Sequence, residues 1–285
     1  MGVRSSIESG IPREFSRGYS RIADLVQIRG HKPLCAKSVQ YIIRFLLLSM
    51  MIPVSPAPKI LAFDTSSPRG SIALLEGVEL RAELRLHSLE THSALLLSSI
   101  DFLLGRLGWS LKDLDLVAVG IGPGSFTGIR IGIATALGLA QSLGISFAGI
   151  SGLDALVQQY SFPDGPVAAV LDAHRSQAYY GEYVSQNGRI RRAKKPRLLH
   201  ISDLERHLAG RHLYIVGDHR VCPLDTLRRA SGEWPRPVTV DLFLAAGIGR
   251  LAFSGKRKWR SGDTIVAEPL YIRPPDALKK KSRKR

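Results

Sequence analysis

Two aspartates stand where apolar runs give way to polar turns. Asp64 is followed by Thr65 and Ser66, and Asp172 by Ala173, His174, Arg175 and Ser176. A carboxylate at a strand end with hydroxyls beside it can hold a metal–phosphate group. The same residue can equally cap its own turn through backbone N–H groups. His174 and Arg175 have the chemistry of an acid–base and a phosphate ligand, but lone residues in a turn fit a solvated surface as well. Between the aspartates lies Gly122-Pro123-Gly124-Ser125-Phe126-Thr127-Gly128, with Arg130 one turn further on. A strand, a Gly-Pro-Gly turn and a helix N-terminus can cradle a phosphate. No Gly-Lys-Ser/Thr follows, so this is not a Walker A loop. Ser125 lies between Gly124 and Phe126, so it is not a nucleophile elbow either. The companion turns, Ser66-Ser67-Pro68-Arg69 and Ala173–Ser176, lack a double glycine, and Pro68 has no N–H to offer. Both facts weaken a nucleotide site.

The elements that must position these residues follow from the patterning. Ile60–Phe63 reads as a strand ending at Asp64, Ser71–Leu75 as a second, and Leu80–Leu86 as a third beyond the Glu76-Gly77 turn. Leu96, Ile100, Leu103, Leu104 and Leu107 have helical spacing within Thr91–Leu107, and Gly108 stops that helix. Strand Leu116–Val119, a helix from Ser125 to Leu143 and strand Ile145–Ile150 complete a βββαβαβ unit. The pattern then restarts. Val167–Leu171 ends at Asp172, Ala178–Val184 follows, and Asn187-Gly188 turns into Arg189–Leu199. A helix at Ser202–Leu208, a strand at Leu213–Val216 and a helix around Leu242–Phe253 close the series. Asp64 and Asp172 occupy equivalent places 108 positions apart, which predicts an internal duplication into two related lobes.

Within the second helix Gly128, Gly132, Ala136 and Ala140 recur every four residues. Such a small-residue ridge lets another helix approach closely. Spacing alone does not say whether that helix belongs to this chain or to a partner. A membrane span is disfavoured by Arg130, Gln141 and the flanking glycines.

Composition sets the outer bounds. With 285 residues, 45% hydrophobic and 22% charged, the chain has the make-up of a globular protein of one large core or two lobes. The formal net charge is +16. Residues 1–50 carry a surplus of about five positive charges and Lys279–Arg285 about six, leaving a mildly basic body. The KKKSRKR tail reads as a solvated, disordered segment with non-specific phosphate affinity. The run Arg189–Arg197 could contact RNA or simply guard a sheet edge. Cys35 and Cys222 form no CxxC motif, which predicts a reducing compartment, and no His spacing suggests a metal site. Residues 1–57 are Arg-rich, then apolar, then Pro-rich, and read as an atypical N-terminal extension. The main reading is an over-long start, with the first residue at Met50 or Met51; the other is a targeting segment.

Several stretches together resemble the bacterial TsaB (YeaZ) family. They are ILAFDTSS, THSALLLSSI, VGIGPGSFTGIRIGIATALGLA, GISGLDAL, LDAHRSQAYYGEY and AEPLYIRPPDA, spanning Lys59 to Ala277. The resemblance implies a two-lobed α/β fold of the ASKHA (actin-like ATPase, ribonuclease H-like) type. The expected lobes are residues 58–160 and 161–276, with a basic tail from 277 to 285. It also implies a non-catalytic partner subunit, pairing with the related catalytic subunit TsaD to make threonylcarbamoyladenosine (t6A) in tRNA. A TsaE-like ATPase and, indirectly, tRNA would join through the complex, and a homodimer is expected in isolation. TsaD carries two metal-binding histidines at positions aligned with Gly152 and Leu156, and neither residue here can ligate a metal. No catalytic residue, cofactor or metal is therefore expected on this chain alone, Asp64 and Asp172 being weak candidates for cofactor binding. The helices matching Thr91–Leu107 and Ser125–Leu143 are expected to pack against their counterparts in TsaD. The residues expected there are His92, Leu96, Ile100, Leu103, Thr127, Gly128, Ile131, Gly132, Thr135 and Ala136. A cytoplasmic location without membrane attachment follows.

Two other classes compete with this reading. An independent ASKHA-type ATPase or phosphotransferase would use Asp64 and Asp172, against the evidence of the glycine-poor turns. A stand-alone RNA-binding module would use the basic hairpin and tail.

Overall fold

A computed structural model describes residues 56–87, 93–218, 220–221, 235–238, 241–255 and 268–273. The N-terminal extension, His92, both cysteines and the basic tail lie outside these residues.

The first sheet is built from β1 (Lys59–Asp64), β2 (Arg69–Glu76), β3 (Glu79–His87), β4 (Leu116–Gly120) and β5 (Ser146–Ile150), in the order β3-β2-β1-β4-β5. β1 runs antiparallel to β2 and parallel to β4, and β4 is parallel to β5. Strand periodicity sorts the side chains between two faces. Leu61, Phe63, Ile72, Leu74, Val117 and Val119 point to one core, whereas Ile60, Ala62, Ala73, Leu75, Leu116 and Ala118 point to the other. Both faces are covered over β1, β2 and β4, so these strands read as nearly continuous apolar runs.

Helices α1 (Ser93–Leu107) and α2 (Phe126–Leu143) cover the outer face. α1 inserts Leu96, Ile100, Leu103 and Leu104, and α2 inserts Ile129, Ile133, Ala136 and Ala140. Each fully buried large side chain here, Phe63 or Ile129 for example, contributes roughly 1.5–3 kcal/mol. The ends of α2 are fixed by its sequence. Ser125 accepts a hydrogen bond from Gly128 N–H at 3.3 Å, and Gly144 closes the C-terminus in the left-handed region at φ 65°. Among the described residues α2 alone is long and apolar enough to cross a membrane, but its most apolar face is the one laid on the sheet.

The second sheet contains β6 (Gly165–Asp172), β7 (Gln177–Gln186), β8 (Arg189–Arg192), β9 (Arg197–His200), β10 (Tyr214–Gly217) and β11 (Arg236–Val238). Its order is β11-β10-β6-β7-β8, with β9 also paired to β7. β6 is antiparallel to β7 and parallel to β10, and β10 is parallel to β11. Every pairing of the first sheet thus has its equivalent: β6 for β1, β7 for β2, β8 and β9 for β3, β10 for β4. The topology is duplicated into two lobes, as the repeated Asp-ending strands predict, and is of the actin-like type that the family resemblance implies.

Helix α4 (Ile201–Leu208) covers the outer face of the second sheet through Leu204 and Leu208. Between the two sheets lie α3 (Gly152–Gln158) and α5 (Ala245–Ser254), whose side chains join one core with residues of both sheets. α5 lies late in the chain, yet it packs on β1, β2 and β4 of the first sheet. Three elements were not anticipated, α3, the strand β11 and the short 3-10 turn Leu111–Asp113, and the single stretch expected over Arg189–Leu199 is divided into β8 and β9.

Candidate functional site

A cleft of about 770 Å³ opens at the carboxyl ends of β1 and β6, between the two sheets. Asp64, Ser66, Gly124, Phe126, Asp172 and Arg175 are among its lining residues, so the two strand-end aspartates and the Gly-Pro-Gly turn do converge on one cavity.

Each aspartate is held by its own turn. Ser66 N–H donates to Asp64 Oδ1 and Ser66 Oγ to Asp64 Oδ2, both at 3.1 Å, and Asp64 is 1% exposed. Gly120 at the end of β4 must be a glycine, because a Cβ there would overlap the Asp64 carboxylate. Asp172 Oδ1 accepts from His174 N–H at 2.7 Å, and its Oδ2 lies 3.4 Å from His174 Nδ1. His174, Arg175 and Ser176 all adopt positive φ, between 54° and 57°. Three consecutive L-residues in that region are costly, at roughly 1 kcal/mol each or more. The turn offsets this by hydrogen bonding: Ala173 N–H donates to Gln177 O at 3.0 Å and Gln177 N–H to His174 O at 3.1 Å. The N–H groups of Ala173, His174 and Gln177 are thus engaged within the turn.

The Gly-Pro-Gly turn is packed in the same inward fashion. Gly122 O accepts from Gly152 N–H at 2.8 Å, and Ser125 N–H donates to Ser66 O at 2.7 Å. Over the start of α2, the Arg130 guanidinium sits 3.7 Å from the Phe126 ring centre, and the Tyr271 ring lies 4.8 Å from Phe126. Arg130 Nε also donates to Tyr271 Oη at 3.1 Å. The arginine that could have steadied an anion is stacked on one aromatic ring and hydrogen-bonded to the hydroxyl of a second.

Residues that sequence reasoning did not single out tie the lobes together across the cleft. Arg69, from β2, meets Asp218, just beyond β10, at 3.2 Å. Arg220 holds the same carboxylate through Nε and Nη2 at 2.9 and 2.6 Å. Burial acts to raise the Asp218 carboxyl, but the hydrogen bonds and charge of Arg220, with Arg69 behind them, outweigh it and bring it down to about 2. The segment 268–273 spans the same gap: Leu270 N–H donates to Ile121 O at 2.8 Å, and Arg273 Nη1 to Ala173 O at 2.9 Å. A signal for Asp218 was present, since it too follows an apolar strand, Tyr214–Gly217. Tyr271 and Arg273 carried none that spacing could reveal.

The residues expected at a partner interface divide sharply. Leu96, Ile100 and Leu103 are at most 5% exposed and belong to the core beneath α1. Gly132 and Ala136 are buried between α2 and the first sheet. A Cβ at Gly132 would lie 2.5 Å from Thr65 Oγ1, and one at Gly128 would overlap Thr65 O. The small-residue ridge therefore serves this chain's own packing, which corrects its assignment to a partner. Thr127 is exposed, and Ile131 and Thr135 are half-buried beside it. The true outward faces carry Leu95, Leu97 and Phe102 on α1, 48, 57 and 56% exposed. Gly105 of α1 and Gly138 of α2 have no atom within 4 Å of where a Cβ would sit.

Among the described residues no three of His, Cys, Asp or Glu converge as a metal site. Gly152 and Leu156 are buried in α3, and a Cβ on Gly152 would already press on Leu244 at 3.2 Å. A duplicated actin-like fold, with each strand-end aspartate held by its own turn, defines the class to which the chain belongs.

Comparison with known proteins agrees. The chain is 34% identical over 230 residues to the tRNA threonylcarbamoyladenosine biosynthesis protein TsaB of Bacillus subtilis, covering 76% of this chain and 95% of that protein. It is 31% identical to the Escherichia coli TsaB, over 78% of this chain and 97% of the relative. A crystal structure of a Pseudomonas aeruginosa protein, described as uncharacterised with similarity to peptidase YeaZ, superposes with a TM-score of 0.59. It is 27% identical and covers 76% of this chain and all of that one. YeaZ from Pseudomonas aeruginosa gives a TM-score of 0.54 at 28% identity, over 70% and 91% of the two chains. The family model for TsaD, the tRNA N6-adenosine threonylcarbamoyltransferase, matches residues 87–220, less than half of the chain. The near full-length matches decide between the two related families: the chain belongs to the TsaB family of tRNA threonylcarbamoyladenosine biosynthesis proteins.

Proposed function

We propose that this chain is the non-catalytic partner of a TsaD-like threonylcarbamoyltransferase and supports t6A formation at the adenosine next to the anticodon. Its contact with that subunit runs through the outward faces of α1 and α2. The observation that carries this reading is the exposed Leu95, Leu97 and Phe102 on α1, together with the open glycines Gly105 and Gly138. Large apolar side chains are the usual anchors of an interface, and surface glycines let a second helix come close. A TsaE-like ATPase joins this pair, tRNA reaches the chain as substrate of the assembly, and the same faces pair two copies when the partner is missing. The assembly works in the cytoplasm, without membrane attachment.

Light scattering on an equimolar mixture with the TsaD-like subunit tests the reading, with a stable heteromer as the expected result. A mixture that stays monomeric would sink it. Calorimetry of the isolated chain with Mg-ATP tests the competing enzyme reading. Here no micromolar binding and no turnover are expected, because the N–H groups of Ser66, Ser125, Ala173, His174 and Gln177 are already engaged within the protein.

A further inference from the structure

The second lobe carries a cationic surface that neither the cleft nor the helices α1 and α2 use. Along β7, side chains Tyr180, Glu182, Val184 and Gln186 share one face by strand periodicity. Register places Arg197 of β9 opposite Tyr180, and Arg191 and Arg189 of β8 opposite Val184 and Gln186. Helix α4 covers only the Tyr180 end of this face, through Leu204 and Leu208. Beyond it Val184 is 43% exposed.

Glu182 is the fixed point of the array. It is 8% exposed and meets Lys194 Nζ at 2.8 Å, Arg197 Nη2 at 2.9 Å, His207 Nε2 at 3.0 Å and Arg211 Nη1 at 3.6 Å. Its carbonyl also accepts from Ala193 and Lys194 N–H at 2.8 and 3.4 Å, which clamps the β8–β9 connection onto β7. Arg197 lies over the Tyr180 ring at 5.4 Å. One carboxylate thus orients several cations whose combined charge exceeds its own. Among the described residues no carboxylate pairs with Arg189, Arg191 or Lys195, all three exposed. Arg192 turns to the opposite face and takes Asp154. An edge that merely resists strand addition needs charges only along its own strand. Here the cations come from β8, β9, the loop between them and Arg211 just beyond α4, and they gather on one side.

We infer that this outer face of the second lobe, centred on Glu182, binds the phosphate backbone of the tRNA substrate directly. The inference rests on the reading of the chain as a subunit of a tRNA-modifying assembly. Two residues along a strand rise about 6.5 Å, close to the separation of successive phosphates on an RNA strand. Arg189 and Arg191 are spaced in that way, and the Asn187-Gly188 turn, with φ 51° and 69°, presents them rigidly. The contacts would position the RNA without reading its bases.

The test is a triple charge reversal, Arg189→Glu, Arg191→Glu and Lys195→Glu, in the full chain assembled with its TsaD-like subunit. Filter binding of tRNA is followed from low to moderate salt. Removing about three phosphate contacts should weaken tRNA binding by more than about tenfold, and should flatten the slope of log affinity against log salt by about 2–3. The neutral triple change to Gln should show a smaller loss in the same direction, so a folding defect in the Glu variant does not end the test. Affinity within twofold of wild type and an unchanged salt slope, in a variant that co-elutes normally with the catalytic subunit, would overturn this assignment alone. Loss of sedimentation with phosphatidylserine vesicles while tRNA binding is unchanged would assign the face to a membrane and also overturn it. Failure of the wild-type chain to co-elute would instead count against the partner reading.

Discussion

Thr65 and Gly128 lock the first strand to the second helix: Thr65 Oγ1 donates to Gly128 O at 2.7 Å, and the Thr65 carbonyl occupies the space that a Cβ on Gly128 would need. One turn later, Gly132 leaves room for the Thr65 side chain itself. Gly128 and Gly132 are thus the seat of the turn after Asp64, while Ala136 and Ala140 continue the ridge into the core below.

Substitution within the ridge should therefore damage the fold of the isolated chain. Gly132→Ala forces a Cβ to within 2.5 Å of Thr65 Oγ1 and 3.2 Å of Val119 Cγ2. Overpacking of this kind costs about 1–3 kcal/mol, and Gly132→Leu should cost more. Thermal melts of the chain without partner check this. A Gly132→Leu protein that melts like wild type would remove the packing argument.

Asp218 gives the chain an acid-sensitive joint between its lobes. Its carboxyl sits near 2 in the folded protein, below an ordinary value of about 3.9 in an unfolded chain. The native state therefore holds the carboxylate where the unfolded chain has already taken up a proton. The stabilisation is complete above about pH 5 and is lost as the pH falls from there to about 2. Asp218→Asn should lower stability at pH 7 on the order of 1–2 kcal/mol, and the difference from wild type should vanish near pH 2. Urea midpoints at the two pH values decide it. A constant difference across the range would mean that the ion pairs to Arg69 and Arg220 contribute nothing.

The cleft is also bridged by Tyr271 and Arg273. Tyr271→Ala removes the ring stacked on Phe126 and the acceptor for Arg130 Nε, without touching either sheet. Amide exchange at Leu270, whose N–H is bonded to Ile121 O, should accelerate at least about tenfold, while the strands β1 and β4 keep their protection. Unchanged exchange at Leu270 would show that the backbone bond alone holds the segment.

How much of this was legible in the sequence depended on how many sides of each element are buried. α2 announced both its ends, because Ser125 and Gly144 are specific to caps. α3 was missed because it lies between two sheets and α5. Leu153, Ala155, Leu156 and Val157 are all buried, so no helical period survives in seven residues. The break between β8 and β9 was invisible, since its cause is the pull of Glu182 O on two N–H groups across the sheet. The ridge on α2 was found but aimed wrongly. Small residues occupy two stripes of that helix, Gly128-Gly132-Ala136-Ala140 inward and Ala134-Gly138 outward, and only the burial of Ile129 and Ile133 shows which faces the sheet. At the cleft the aspartates were readable and their role was not, because what decides it is whether nearby N–H groups are free.

The outward stripe yields the sharpest test of assembly. Gly138 sits in the interior of α2 with open space where a Cβ would be, so nothing within this chain requires a glycine there. A mid-helix glycine costs roughly 1 kcal/mol against a good helix former. Gly138→Leu should thus leave the isolated chain as stable as wild type or slightly more so. If α2 meets a helix of the catalytic subunit at this point, the same leucine holds the two backbones apart. Phe102→Glu, on the exposed face of α1, should act in the same direction by placing a charge where an apolar anchor belongs. Each change should weaken co-assembly by at least about tenfold, or ~1.4 kcal/mol, as measured by light scattering or calorimetry against the TsaD-like subunit, with the melting temperature of the chain alone as control. Undiminished assembly by both variants would move the interface away from α1 and α2. Loss of assembly with a raised or unchanged melting point would fix it there, and would separate the partner-facing stripe from the ridge that serves the fold.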